Sequence, residues 1–178
     1  MIIENAIDKY APLFESLRGK GHARVLFVCL GNICRSPAAE GLMKDVVAGH
    51  QGASRRWTVD SAGTGGYHIG DLPDSRMRAH ARRRGLTLDH ICRQVHESDF
   101  DDFDIIVGMD DSNIYNLKRL APTAEAADKI VAMADFFSCT RYYAVPDPYY
   151  EGAEGFELVL DLLEDGTRNL YDTVESVL

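Results

Sequence analysis

After Arg24, the apolar run Val25-Leu26-Phe27-Val28-Cys29-Leu30 leads without a break into Gly31-Asn32-Ile33-Cys34-Arg35-Ser36 and then Pro37-Ala38-Ala39-Glu40. A run this apolar, with no polar alternation, reads as a strand buried on both faces, as parallel strands are. Ser36 followed by Pro37 reads as the N-cap and first turn of a helix over 36–49. A buried strand that turns directly into a helix opens a βαβ unit. That commits the chain to an α/β architecture more firmly than any other stretch of it.

The remaining residues repeat the alternation. Strands are expected at 57–61, 103–108 and 129–132. Helices are expected at 74–84, stopped by Gly85, at 111–120, ended by Pro122, and from about 155 to 178. Residues 62–70 form a Gly-rich loop, and 145–150 a loop containing Pro146 and Pro148. The pattern predicts a parallel sheet covered by helices on both faces. At 178 residues there is room for one such domain with a full core. Residues 2–18 stand apart: Ile3, Ile7, Tyr10, Phe14 and Leu17 recur at helical spacing. They predict an extra N-terminal helix, packed on the domain or offered to a partner. The expected division is an extension over 1–22 and a domain over 23–178.

Composition narrows the function. The formal net charge of -9 argues against nucleic-acid binding, which needs a positive surface. No apolar run reaches membrane-spanning length. The N-terminal residues carry acids and no basic leader, so the expectation is a cytoplasmic protein. Cys29, Cys34, Cys92 and Cys139 fit a reducing compartment, where cysteines serve chemistry more often than disulfides.

The loop from Cys29 to Ser36 carries the chemistry. A cysteine and an arginine separated by five residues are a weak signal alone; the strand before and the helix after make it strong. A helix starting at the C-terminal end of a parallel strand aims unpaired N–H groups and a positive dipole at the loop. That field holds an oxyanion such as phosphate and favours a thiolate. Gly31 permits close backbone approach, and Asn32 tolerates a left-handed turn. Arg35 offers a two-pronged fork to phosphate oxygens. Ser36 has two expected jobs, capping the helix and donating to the Cys29 sulfur. The expected cradle is thus Leu30, Gly31, Asn32, Ile33, Cys34 and Ser36, with Cys29 as nucleophile and Arg35 as clamp.

At these residues the chain resembles the low-molecular-weight protein tyrosine phosphatase family. The resemblance is carried by VLFVCLGNICRSPAAE, WTVDSAGTGGYHIG, FDIIVGMDDSN and DPYYEG, and spans about 24–178. It implies four parallel strands in the order 2-1-3-4 and hydrolysis of protein phosphotyrosine without cofactor or metal. It implies that Cys29 forms a cysteinyl-phosphate and that Asp147 protonates the leaving phenolate, then activates water. One carboxyl serves in both roles. Asp-Pro is equally a turn starter. By the same resemblance Tyr67, Tyr149 and Tyr150 wall the pocket, and Ser61 and His90 brace Asn32. Surface tyrosines and a helix-end histidine are the plainer readings. Asp110 orders the rim or caps the following helix. Cys34 either traps an oxidised Cys29 as a disulfide or fills space as a small apolar residue. The implied partners are phosphotyrosine-containing proteins and a cognate tyrosine kinase. Arg76, Arg78, Arg82, Arg83 and Arg84 read as a solvated face.

Three other functions fit the loop. Arsenate reduction needs further cysteines near the third strand, where this chain has Ile106-Val107-Gly108-Met109-Asp110. Phosphoarginine phosphatases of similar sequence carry threonine where Ile33 stands and lack paired tyrosines. A non-enzymatic phosphate-binding adaptor would not need the full catalytic set.

Overall fold

The sheet is built from β1 (Ala23–Cys29), β2 (Trp57–Gly63), β3 (Ile105–Gly108) and β4 (Ile130–Ala132). The computed structural model describes all residues, 1–178. The strands are parallel and lie in the order β2-β1-β3-β4, as expected. β1 is buried on both faces. Val25, Phe27 and Cys29 join one apolar cluster, and Leu26 and Val28 join another on the opposite face. That is why its sequence shows no alternation.

Helix α3 (Arg35–Ala48) and the long α8 (Ala153–Glu175) cover the Cys29 side. Helix α6 (Asp111–Leu120) covers the other through Leu117, with the one-turn helices α5 (Asp99–Asp102) and α7 (Ala124–Ala127) adding Phe100 and Ala126. The chain therefore leaves β1 toward one face and β3 toward the other. Between those two strands the connections diverge and open a crevice at the C-terminal edge of the sheet. Cys29 ends β1 there, and Asp110 follows β3 there.

One expectation is corrected and another refined. The helix after the loop starts at Arg35, with Cys34 in the cap position and no side-chain cap. Ser36 lies inside the first turn with its hydroxyl turned inward, so it does not cap. The N-terminal segment is two helices, α1 (Ile2–Lys9) and α2 (Ala11–Leu17). Pro12 has no N–H to continue the ladder, and the chain breaks at Tyr10. Their large apolar residues face inward except Ile3, which is exposed. Ala6, Leu13, Phe14 and Leu17 are buried in the same cluster as α8 and the sheet. The Tyr10 hydroxyl accepts from the Ala132 N–H at 3.0 Å and donates to Asp135. Lys20 reaches the buried Asp104 at 2.7 Å, tying the segment's end to the start of β3, and Arg24 of β1 reaches the same carboxylate at 3.1 Å.

Two of the arginines, Arg76 in α4 (Ser75–Arg83) and Arg84 just after it, are more than a solvated face. Arg84 binds Glu157, Asp161 and Glu164 and fastens α4 to α8. Arg76 lies 4.9 Å from the Phe156 ring and 5.3 Å from that of Tyr149. No helix is long and apolar enough to cross a membrane.

Candidate active site

The loop between β1 and α3 is held from outside by its carbonyls. Those of Cys29 and Leu30 accept from the N–H groups of Thr64 and Gly65 at 2.9 and 2.8 Å. That of Asn32 accepts from the Cys92 thiol at 2.8 Å. Those of Ile33 and Cys34 accept from Asp74 and Ala38 at 2.8 and 3.2 Å. In a trans peptide the N–H opposes the C=O. Five carbonyls bonded outward therefore direct the N–H groups of residues 30, 31, 33, 34 and 35 toward the loop's interior. None of these N–H groups has an acceptor within the protein. The result is a nest for an anion with a sulfur beneath it.

The peptides can face this way because Asn32 sits at φ 57°, the left-handed region. Its side chain, fully buried, holds that turn. Its Nδ2 donates to Ser36 Oγ at 2.9 Å and to Ser61 Oγ at 3.0 Å. Its Oδ1 accepts from the Arg93 N–H at 2.9 Å and lies 2.9 Å from His90 Nε2. The Ser61 hydroxyl donates to Glu40 Oε1 at 2.7 Å, and His90 Nδ1 lies 3.1 Å from the same oxygen. Glu40, Asp60 and His90 converge, yet their atoms already serve this network. Ser36 Oγ completes it at 3.0 Å from Cys29 Sγ. Gly63 backs the loop closely: a Cβ there would stand 2.7 Å from the Leu30 oxygen and 3.0 Å from the Asn32 nitrogen.

Arg35 is nearly sealed from solvent. Its Nη1 donates to Asp110 Oδ2 at 2.6 Å and to the Val145 carbonyl at 3.1 Å, and its Nη2 is 3.6 Å from Asp147 Oδ2. Burial works against its charge. The Cys29 sulfur and the bond to Asp110 more than offset that and hold the group above its ordinary pKa. Asp110 fills both roles foreseen for it, because its other oxygen caps α6 through the Asn113 N–H at 2.8 Å. Burial, with Asp74 and Cys29 nearby, pushes the Cys34 thiol well up, and burial with Asp71 raises Cys92 to about 11.

A cleft of about 330 Å³ opens above the loop. The expected residues Cys29, Leu30, Gly31, Ile33, Cys34, Arg35, Tyr67, Asp147, Tyr149 and Tyr150 line it. Asn32, Ser36, Ser61 and His90 lie behind it as support. Asp147 reads as both turn and site: its Oδ1 accepts the Tyr149 N–H at 3.1 Å while its Oδ2 faces Arg35. His68 also lines the cleft, with its ring over Gly31. It was missed because nothing distinguishes it from a loop histidine except its place beside Tyr67. Glu40, Asp60 and Arg93 were missed because they meet Asn32 only through the fold.

This geometry has relatives. Residues 24–177 match the family model described as low molecular weight phosphotyrosine protein phosphatase. Low molecular weight phosphotyrosine protein phosphatase 1 of Drosophila melanogaster is 44% identical over 135 residues, covering 75% of this chain and 85% of its own. A crystal structure of a protein tyrosine phosphatase from Entamoeba histolytica, with Hepes in its active site, superposes with a TM-score of 0.83 at 47% identity. It covers 86% of this chain and 97% of that one. A Drosophila arginine phosphatase also superposes, with a TM-score of 0.76 at 32% identity, covering 83% of this chain and 95% of its own. The outward-bonded loop, the sheet order and these likenesses agree, and the chain belongs to the low molecular weight phosphotyrosine protein phosphatase family.

Proposed function

We propose that the protein hydrolyses phosphotyrosine in proteins through a phosphocysteine on Cys29. The observation that carries this is the nest itself, with its N–H groups unpaired and directed into the loop's interior, where Cys29 and Arg35 both line the cleft. Phosphoryl transfer asks mainly for positioning and charge neutralisation. The nest amides take the equatorial oxygens, and Arg35 neutralises them through Nη2 while Asp110 fixes Nη1. Cys29 Sγ attacks phosphorus, and the bond to the phenolic oxygen breaks. Asp147 gives that oxygen its proton. Ser36 donates to the sulfur when it leaves in the second step. Asp147, now a carboxylate, takes a proton from the water that attacks the phosphocysteine.

Substrate choice rests on the cleft walls. Tyr67, Tyr149 and Tyr150 present aromatic faces to a phenyl ring. Ile33 is apolar, packed against the core, and offers no partner to a guanidinium. The arginine phosphatase likeness makes phosphoarginine the second reading. A direct comparison of kcat/KM on phosphotyrosyl, phosphoseryl and phosphoarginyl peptides tests it. The phosphotyrosyl peptide is expected to lead; a faster phosphoarginyl rate overturns the choice.

The cysteines support two finer readings. All four are free, which fits a cytoplasmic protein acting on the products of a tyrosine kinase. Cys34 lines the cleft beside Cys29 and traps an oxidised Cys29 as a disulfide. Peroxide inactivation that thiols reverse is the expected outcome, and unchanged recovery in Cys34→Ser would exclude the trap. Residues 1–22 act as a helical extension of a phosphatase domain at 23–178.

A further inference from the structure

A second groove of about 400 Å³ lies against the first. Leu30 and Tyr67 line both, so they form the partition between them. Tyr67 is 76% exposed and turns one surface to each side. Beyond it the groove is lined by Gln94, Asn116, Arg119 and Leu120, among others. No lining residue is acidic, although the chain carries a net charge of -9. Arg119 supplies the groove's one cationic side chain.

Arg119 differs from the arginines around the active site. Arg35, Arg76 and Arg93 all hold carboxylates of this chain. Arg119 forms no ion pair or hydrogen bond, and only packs its guanidinium 5.7 Å from the Tyr115 ring. That contact uses the face of the group and leaves its N–H fork free. The Gln94 and Asn116 amides add neutral donors and acceptors nearby. Aromatic Tyr67 and apolar Leu30 and Leu120 supply a floor for the stem of an extended chain.

The geometry points to a subsite in which Arg119 receives an acidic side chain of the substrate, next to the phosphotyrosine held in the first cleft. It rests on the phosphotyrosine reading and deepens it by assigning the neighbouring sequence. The charge argument favours an acidic residue over a basic one. A carboxylate gains the fork of Arg119, whereas a lysine meets an uncompensated like charge. Arg119 is exposed, so the gain is modest and weakens with salt.

The test uses phosphotyrosyl peptides identical except for one Glu, Ala or Lys placed in turn at each flanking position. With the unaltered protein, Glu is expected to exceed Lys about fivefold in kcat/KM at one or two positions, mainly through KM. The preference should shrink in high salt. Arg119→Ala should flatten it, and Arg119→Glu should invert it; both are ratios within one protein, so they are independent of its yield or basal rate. A Glu preference retained in Arg119→Glu, or none at any position in the unaltered protein, overturns the subsite. If the protein cleaves phosphoarginine but none of these peptides, the phosphotyrosine reading fails, and the subsite with it.

Discussion

Residues 29–36 and residues 145–150 approach the same cleft with very different amounts of structure around them. The first segment bonds five carbonyls outward and buries Asn32 in a network reaching Ser61, Glu40, His90 and Arg93. The second is anchored at its start, where Val145 bonds Met109 and Arg35. Beyond that, Asp147 is 43% exposed on its side chain, Tyr150 is 90% exposed, and a single turn bond joins Asp147 to Tyr149. The difference matches what each must do. A binding nest gains from being fixed before the anion arrives, whereas an acid that meets two oxygens in succession has to serve both a leaving group and a water. Changes in the first segment should therefore affect folding and chemistry together, and changes in the second chemistry alone.

Cys29→Ser should give the largest loss, at least about 10⁴-fold in turnover. It should still bind inorganic phosphate, since the nest amides remain; calorimetry checks this, and lost binding would mean that the nest depends on the Cys29 sulfur. Asp147→Ala should lower kcat about 10³-fold for aryl phosphates with poor leaving groups and far less for good ones. A uniform loss across leaving-group pKa would remove Asp147 as the acid. Its melting temperature should stay within a degree or two of the unaltered protein.

Asn32→Ala should lower kcat about 10²-fold and also reduce the melting temperature by several degrees, because buried donors lose their acceptor. Asn32→Gly keeps access to the left-handed turn and loses only the side-chain bonds, so it separates the two contributions. A stable but slow Asn32→Ala protein would break the contrast between the segments. The smallest expected effect lies away from the cleft, at Asp104. Burial tends to raise its pKa, but bonds from Arg24 and Lys20 outweigh that and hold it below the usual carboxylate range. Its contribution is therefore complete above about pH 4, the unfolded value, and is lost as pH falls through the folded one. Asp104→Asn should cost about 2 kcal/mol at pH 7, and urea unfolding should show that deficit shrinking below about pH 4.

The same contrast explains what the sequence disclosed. Nucleophile, clamp and cradle lie within eight residues, so strand, loop and helix were legible locally. The strand order and the distant Asp147 followed from family likeness rather than from any periodicity. Ser36 looked like a cap because serine before proline usually is one. Its hydroxyl instead serves Cys29 and Asn32, which no local signal announces. Cys92 holds Asn32 from 60 residues away, and Glu40 acts on it through Ser61, 21 residues further on, by contacts that only the folded sheet creates. The N-terminal helix is present over the residues the apolar spacing marked, and Pro12 divides it at Tyr10.

Rapid-quench kinetics with a phosphorus-labelled phosphotyrosyl peptide, followed by mapping of the label, tests the central claim most directly. A burst of labelled protein approaching one phosphate per chain, with the label on Cys29, is the predicted result. Release of phosphate without any labelled protein, or label on another residue, would contradict it.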